Sequence, residues 1–371
     1  MISFELTDEQ DLVRTTAGEF AADVMKEAAR AADEEAAVPE GFLDASWALG
    51  LTMGQIPEAY GGAGMPRSPL LGAIALEQLA TGDAALALAS MAPSLFAFAV
   101  VDHGTEDQKN RYLPLFCTEK FHPAALALIE PGPFFDPLGL TTTAAERDGG
   151  WVLDGRKAFV PLADSASHFL VIARRGERNG GGVGELEGFI VERDAAGLEI
   201  GAPEPHLGLC ALPTATLSLT GVRVGPENRL GGESGADIRK ILDAGRIGTA
   251  AVQVGLAKSV MDYCCPYATE REAFGEPIGR KQAVAFMLSD MAVEIDSMRW
   301  MVWKAAAELE YGRDATRAAH LAHRYVAKQT MKVADNGLQV FGGHGFIREQ
   351  PLELWYRHAR TLGVLESAAT V

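Results

Sequence analysis

The sequence carries one carboxylate whose surroundings suit proton transfer, Glu366. Leu362, Val364 and Leu365 lie beside it in the chain and give it little polar company. An apolar setting destabilises the charged form of a carboxylate, which raises its pKa and makes it a candidate general base. The alternative is an exposed charge at the end of a helix, because most glutamates are solvated. The rest of the sequence has to decide between these two interpretations.

The composition is that of a globular protein with a strong negative charge. The chain has 371 residues and a net charge of −17, with 48% hydrophobic and 22% charged residues. A chain of this length needs two or three domains. Its negative charge disfavours contact with nucleic acid and with anionic lipid, so we expect neither a nucleic acid nor a membrane as a partner.

The sequence contains no clear targeting or membrane segment. The first five residues lack the basic and apolar regions of a secretory signal, and the four cysteines form no C-x-x-C pair. Such cysteine usage fits a reducing cytoplasm, which is the expected location. Residues 84–101 carry no charge, but Pro93 interrupts them. This pattern predicts two buried helices with a break near Pro93 rather than a membrane span.

The pattern along the chain predicts an α+β multidomain protein. Residues 1–118 show helical spacing that begins with a capping box from Thr7 to Gln10. Residues 119–232 contain short β-rich runs bounded by Gly, Asp or Pro. Residues 233–371 contain three long helical stretches with the apolar stripes of a bundle. We therefore expect an N-terminal all-α domain, a central β domain and a C-terminal helical bundle domain with these limits.

Three motifs in a fixed order give the chain a specific resemblance. They are ATEREAFGEPI at residues 268–278 with Gln282 eleven residues after Arg271, QVFGGHGF at residues 339–346, and YRHAR at residues 356–360 followed by Glu366. Weaker matches are IPE at residues 56–58, HGTEDQ at residues 103–108 and EPG at residues 130–132. Together these motifs resemble the flavin-dependent acyl-CoA dehydrogenase family.

That resemblance implies a fold and a reaction. The implied fold is an N-terminal all-α domain, a central β-barrel-like domain and a C-terminal four-helix bundle, in agreement with the pattern along the chain. The implied reaction removes hydrogen from the α and β carbons of an acyl-CoA thioester. A glutamate takes the α proton, and FAD is the cofactor that accepts the β hydride.

The resemblance also assigns roles to particular residues. Glu366 falls at the position of the base. In some relatives the base lies on an earlier helix just before an arginine, but here Gly245 precedes Arg246. The positions that bind the adenine-diphosphate half of FAD are Arg271, Phe274, Gln282, Gln339, Gly342 and Gly343. The flavin-ring positions are Ile129, Phe159 and Pro161, and the substrate positions are Phe135 and Arg246.

The residue types suit these roles. The guanidinium of Arg271 matches a diphosphate, and Gly342 and Gly343 permit close backbone approach. The alternative interpretations are that Arg271 is a surface charge on a helix and that the two glycines end a helix. The α C–H of a thioester is a weak acid, so its base works best in a dry site. We therefore expect Glu366 to border a cleft that is large enough for a tricyclic ring.

The resemblance implies partners as well. In this family the adenine-side residues reach a flavin seated in a neighbouring subunit, which implies a dimer of dimers. The expected partners are an acyl-CoA substrate, an electron-transfer flavoprotein as acceptor, and further subunits. These subunits are identical in a homotetramer or paralogous in a heterotetramer.

Several residues depart from the family pattern near the ring and the thioester. Ile129 stands in place of a hydroxyl residue, Phe135 in place of a serine, and Phe159-Val160-Pro161 in place of Trp-Ile-Thr. After Glu366 the family has Gly-Thr, whereas this chain has Ser367-Ala368. Each lost hydrogen bond is worth on the order of 1 kcal/mol.

Two explanations of these departures stay open. One is an active enzyme with repacked flavin contacts and an unusual substrate. The other is a weakly catalytic or silent subunit that offers its Arg271 side to a flavin in a different chain. A flavin oxidase or monooxygenase on the same scaffold is a third class, but such proteins normally lack the glutamate.

Two further features indicate structure rather than chemistry. His320 and His323 are three residues apart on a predicted helix and have no further ligands, so we interpret them as a helix face and expect no metal site. The glycine-rich residues 180–184 lack the strand-loop-helix context of a phosphate cradle and predict a loose hairpin loop.

Overall fold

The computed structural model describes residues 5–133, 135–176 and 185–371. The part before the sheet is helical. Its helices are α1 (Asp8–Phe20), α2 (Lys26–Glu35), α3 (Phe42–Trp47), α4 (Leu51–Gly54), α5 (Pro69–Leu79), α6 (Ala84–Met91), α7 (Ser94–His103) and α8 (Glu106–Tyr112). One π-helical turn, Ala21–Met25, joins α1 to α2.

Polar residues explain where several of these helices begin. The Thr7 hydroxyl accepts a hydrogen bond from the Gln10 backbone N–H at 3.2 Å, and the Gln10 side chain accepts one from the Thr7 backbone N–H at 3.0 Å. The predicted capping box is therefore confirmed. Asp83 caps α6 in a similar way, since its Oδ1 accepts from the Leu86 backbone N–H at 2.9 Å. Such a cap stabilises a helix by about 1 kcal/mol.

Helices α6 and α7 are the two buried helices that the sequence predicts, and they are bent by 43° at the break. Pro93 lies at this break. In the described part of the chain, no single helix has the length and apolar character needed to cross a membrane, and this bent pair meets the criterion only by length and composition. Both helices lie in the core, with the side chains of Leu86 and Phe96 fully buried.

A seven-stranded sheet follows the first helices. Its strands are β1 (Ala124–Ala127), β2 (Thr143–Arg147), β3 (Gly150–Pro161), β4 (His168–Arg175), β5 (Glu185–Glu192), β6 (Leu198–Pro203) and β7 (Thr214–Val224). They lie in the order β1-β4-β2-β3-β7-β6, and β5 pairs with β4. Strand β4 runs parallel to β1 and β2, whereas the other pairs are antiparallel. The predicted hairpin loop at residues 180–184 lies outside the described residues.

Strand β4 is buried on both faces. Phe169 and Val171 belong to the core of the sheet itself. Leu170 and Ile172 point to the opposite face, because side chains alternate along a strand. There they join a cluster that contains Phe96 of α7. The sheet therefore packs directly against the first helices.

Long helices form the last part of the chain. They are α9 (Ile238–Glu270), α10 (Gln282–Glu310), α11 (Thr316–Phe341) and α12 (Leu352–Leu362), and a short hairpin of β8 (Glu272–Ala273) and β9 (Glu276–Pro277) lies between the first two. Helix α9 is the most buried and packs against α5, where a Cβ on Gly255 would lie 2.0 Å from the Glu77 carbonyl oxygen. The predicted fold class is confirmed. The three predicted domain limits stay predictions.

Candidate active site

Glu366 lies just beyond α12, and its side chain is 15% exposed. The Arg246 guanidinium on α9 donates from Nε to Glu366 Oε1. His323 on α11 brings its Nε2 to 3.7 Å from Glu366 Oε2. The expectation that Glu366 has little polar company is therefore wrong. Its neighbours in the chain are apolar, but its neighbours in space are charged and polar groups from two other helices.

Two buried titratable groups surround this ion pair. Asp243 lies 3.9 Å from the Arg246 guanidinium, and burial raises the pKa of its carboxyl despite a hydrogen bond from Thr316 and the charge of Arg246. Burial lowers the pKa of His323, and this effect outweighs the attraction of Glu366. Among the described residues, His323 Nδ1 has no hydrogen-bond partner. Arg246 is therefore the main cation beside Glu366.

The three predicted flavin-ring residues lie next to Glu366. Ile129, Phe159, Pro161 and Glu366 line one cavity, together with Ser367 and other residues. The cavity volume is about 10 Å³, which is the space of roughly one water molecule. The expected cleft for a tricyclic ring is therefore closed in this conformation, although the residues expected around it are brought together.

Ser367 explains part of this closure. Its backbone has φ +52°, a left-handed conformation that favours glycine. Its side chain fills the space over Gly245, where a Cβ would lie 2.3 Å from the Ser367 Oγ. Ser367 therefore occupies the space that a side chain at position 245, the position of the base in some relatives, would need. In this conformation only glycine fits at position 245.

The backbone at the edge of the cavity already has hydrogen-bond partners. The Phe159 backbone N–H donates to Glu204 Oε2 at 2.9 Å, and the Ala158 backbone N–H donates to the Ile129 carbonyl at 2.8 Å. Phe159 also has a positive φ of 54°, and its ring centroid lies 4.7 Å from that of His206. A ring placed here would meet mainly apolar side chains.

We call the six residues predicted to bind the adenine-diphosphate half of FAD the adenine-side residues. Unlike Glu366, they lie on an open surface. Helices α9 and α11 meet at their C-terminal ends, where the rings of Tyr267 and Phe341 stack with centroids 3.7 Å apart. This contact brings Arg271 to the same end of the bundle as Gly342 and Gly343. Residues Arg271, Phe274, Gln282, Gln339, Gly342 and Gly343 are all exposed. Phe274 is 95% exposed and has φ +56°.

This open surface fits the diphosphate half of FAD. Within the described ranges, the side chains of Arg271, Gln282 and Gln339 make no hydrogen bond, so their donors are free for a ligand. A Cβ on Gly342 or Gly343 would meet nothing within 4 Å. Gly342 has φ +59°, a conformation that itself favours glycine. Packing and backbone conformation give no such reason at Gly343, and a glycine there leaves room for close approach of a ligand.

The two predicted substrate residues, Phe135 and Arg246, contact different parts of the molecule. Arg246 bonds Glu366. Phe135 is half-buried and packs against a hydrophobic cluster that contains Leu126 and Leu128. Leu126 and Leu128 also line the small cavity, whereas Phe135 is absent from its lining. Substrate contact by Phe135 and Arg246 stays a prediction.

The sequence interpretation missed His323 as a neighbour of Glu366. A signal for it exists, because Ala319, His323, Val326 and Thr330 recur at the spacing of one helix face, and all four are buried. A histidine on a buried apolar stripe needs a polar neighbour from another element. The sequence alone does not show which element supplies it.

Comparisons with known proteins agree with this architecture. Residues 7–120 match the model of the acyl-CoA dehydrogenase N-terminal domain, residues 125–222 the middle domain, and residues 235–366 the C-terminal domain. The chain is 31% identical to the caffeyl-CoA reductase-Etf complex subunit CarC of Acetobacterium woodii, over 98% of this chain and 96% of that protein. It is 32% identical to the mitochondrial short-chain specific acyl-CoA dehydrogenase of Rattus norvegicus, over 100% of this chain and 89% of that protein.

A solved structure extends the comparison to three dimensions. The butyryl-CoA dehydrogenase of Megasphaera elsdenii matches with a TM-score of 0.89 and 30% identity, and the match covers 100% of this chain and 96% of that one. Matches to three consecutive domains and to relatives along almost their whole length carry the assignment. The chain belongs to the acyl-CoA dehydrogenase family, whose members are oxidoreductases that act on CH–CH groups with FAD as the cofactor.

Proposed function

We propose that this protein catalyses the α,β-dehydrogenation of an acyl-CoA thioester, with Glu366 as the base that takes the α proton. The single observation that carries the proposal is that Glu366 shares one cavity lining with the three ring-site residues. Of the described residues that line this cavity, Glu366 alone has a titratable side chain. Bound FAD supplies the acceptor for the β hydride.

The contacts of Glu366 support different tasks for its two oxygens. Oε1 accepts a hydrogen bond from Arg246, which holds the carboxylate in one orientation. Within the described residues Oε2 accepts no hydrogen bond, and it lies 3.7 Å from His323 Nε2. Oε2 is therefore the oxygen that receives the α proton, and Arg246 is a positioning residue.

We propose that the adenine-side residues serve a flavin at a subunit boundary. The free donors of Arg271, Gln282 and Gln339 suit the diphosphate and the groups around it. Exposure of all three on one end of the bundle favours a site completed by a second subunit. The proposed assembly is a tetramer, and the proposed electron acceptor is an electron-transfer flavoprotein. The name of the Acetobacterium woodii relative, a subunit of an Etf complex, supports this partner.

Replacement of Glu366 by glutamine tests the base. Glutamine preserves the shape of the side chain but cannot take a proton, so we expect flavin reduction by octanoyl-CoA to slow at least 10²-fold. The measurement is anaerobic stopped-flow bleaching of the flavin, with FAD content determined on the same sample. Glu349→Gln, an exposed carboxylate elsewhere, is the matched control. If Glu366→Gln and the wild type reduce the flavin at equal rates, Glu366 is not the base.

A second candidate is a subunit of a heteromeric dehydrogenase that completes a flavin site in a paralogous chain. The contrast between the open adenine side and the 10 Å³ cavity at Glu366 favours it. The visible spectrum of the protein purified alone separates the two candidates. About one flavin per chain supports the enzyme, whereas a colourless protein that becomes yellow with a paralogous chain supports the subunit.

A further inference from the structure

The five residues that follow Glu366 are packed into the molecule. Residues 367–371 are buried, and Val371 is fully so. The side chains after Ser367 are small or short: Ala368, Ala369, Thr370 and Val371. We call residues 367–371 the plug segment.

A few specific hydrogen bonds hold the plug segment. The Ala368 backbone N–H donates to the Thr249 hydroxyl on α9 at 2.9 Å, and the Ala369 N–H lies 3.4 Å from the same oxygen. The Arg67 guanidinium donates to the Val371 carbonyl oxygen. In the described part of the chain, Ser367 Oγ is buried without a hydrogen-bond partner. The segment is therefore held by few bonds, and one of its polar groups is unsatisfied.

Glycines on the neighbouring helices make room for the segment. A Cβ on Gly248 of α9 would lie 2.7 Å from the Thr370 backbone. A Cβ on Gly72 of α5 would lie 3.0 Å from the Val371 Cα. Gly245 makes the corresponding room for Ser367. The plug segment therefore packs against three glycines, one on α5 and two on α9.

The plug segment separates two cavities. Ser367 and Ala368 line the 10 Å³ cavity at Glu366. Thr370 lines a second cavity of about 290 Å³. That second cavity has apolar walls on α7 and α9 and charged groups at its edge, and its residues include Leu95, Phe98, Ile241, Arg67, Lys240 and Glu310. Removal of the segment would join the two cavities.

We propose that the plug segment occupies the place of the substrate's acyl chain and is displaced when an acyl-CoA binds. The inference rests on the proposed function of Glu366. The joined cavities would give the acyl chain an apolar path that starts at the base and ends at the second cavity. Methylene groups of the substrate would replace the apolar contacts that the alanine and valine side chains now make. The segment thereby selects acyl chains that are long enough to displace it.

Amide exchange of the plug segment tests the proposal. Hydrogen–deuterium exchange is measured on the full-length protein as purified, and again with saturating octanoyl-CoA, with binding followed by calorimetry. We expect slow exchange at Ala368 and Ala369 without the ligand and at least tenfold faster exchange with it. Slow exchange that persists while octanoyl-CoA is bound overturns the proposal. Fast exchange before the ligand is added also overturns it.

A substitution at the anchor gives a second test. Thr249→Val removes the hydroxyl that holds Ala368 at almost constant volume. We expect faster exchange of the segment without ligand and about tenfold tighter binding of octanoyl-CoA, because a larger open fraction raises the apparent affinity. Thr330→Val is the matched control, since Thr330 is equally buried and its hydroxyl bonds the Gln253 carbonyl instead. Equal affinities of Thr249→Val and the control contradict the proposal.

The two tests separate this inference from the proposed function. If octanoyl-CoA releases the segment but reduces no flavin, the plug is supported and the proposed reaction is wrong. If octanoyl-CoA is oxidised while the Ala368 and Ala369 amides stay protected, the reaction is supported and the plug is wrong.

Discussion

Glu366 gains its two nearest polar neighbours from distant parts of the chain. Arg246 is 120 residues away in sequence, yet it donates directly to Glu366 Oε1. His323 comes from a third helix and approaches Oε2. The base that we propose must keep one oxygen for the proton, and this arrangement leaves Oε2 for that task. The chemistry of a single residue is therefore set by three separate elements.

A second carboxylate near the cavity wall has an equally specific environment. Glu130 is 7% exposed and accepts hydrogen bonds from Thr141, Thr142 and the buried ammonium of Lys157, the last at 2.9 Å. Burial alone would raise the pKa of Glu130, but the Lys157 charge and the hydrogen bonds from Thr141 and Thr142 outweigh it and lower the pKa to about 2.

This lowered pKa predicts a loss of stability in acid. The unfolded carboxyl binds its proton near the ordinary value of 4.5, whereas the folded one does so near 2. Between these values the unfolded state holds more protons, so the free energy of unfolding falls as the pH falls. We expect Glu130 to account for about 2 kcal/mol of the loss between pH 5 and pH 3.

Denaturant unfolding at several pH values measures this contribution. Glu130→Gln removes the titrating group, so its unfolding free energy must change less steeply between pH 5 and pH 3 than that of the wild type. Glu349→Gln, an exposed carboxylate, must keep the wild-type slope. Identical slopes for all three proteins contradict the assignment.

At the level of elements, glycines have two different physical roles. Gly255 on α9 is required by helix packing, because a Cβ there would lie 2.0 Å from the Glu77 carbonyl oxygen and 2.9 Å from the Ala80 side chain. Gly343 follows α11 and is exposed, and a Cβ at this position would meet nothing within 4 Å. The first glycine serves the fold, whereas we propose that the second permits close approach of a ligand.

Alanine substitutions at these two positions are expected to give opposite results. Gly255→Ala forces α5 and α9 apart and is expected to cost about 2 kcal/mol or more of unfolding free energy. Gly343→Ala is expected to change stability of the flavin-free protein by less than about 0.5 kcal/mol. FAD affinity should nevertheless fall at least tenfold in Gly343→Ala. Chemical denaturation and flavin titration measure the two effects, and unchanged FAD affinity argues against close backbone approach at Gly343.

At the scale of the whole molecule, α10 presents an apolar face to the surface. Phe286, Val293 and Trp300 recur every seven residues and are 61%, 66% and 45% exposed. Residues two helical turns apart lie on one face. Three large apolar side chains exposed on one side of a helix, on a protein with net charge −17, favour contact with another subunit. This surface is consistent with the proposed tetramer.

Charge placed on this face is expected to weaken the assembly. Val293→Glu would bury a carboxylate in an apolar interface, so we expect the molar mass measured by light scattering to fall below that of the wild type. Leu12→Glu adds the same charge at an exposed leucine of α1 and serves as the control. If Val293→Glu keeps the wild-type mass, the α10 face is not the interface.

Much of the fold followed from local pattern. The capping box at Thr7, the break at Pro93 and the three long helices are properties of short segments, because caps, proline and helical spacing act over a few residues. The ordered motifs around Arg271, Gln339 and Glu366 indicated the family and its cofactor. The polar neighbours of Glu366 could not be predicted, since they depend on which helix faces meet.

By itself, the sequence determined the order of helical and β parts, the family, and the candidate base. The tertiary structure decided what surrounds that base. It paired Glu366 with Arg246 and seated residues 367–371 over the glycines of α9, which closed the cleft expected there. Local propensities act between near neighbours in the chain, whereas the size of a cavity depends on how distant elements pack.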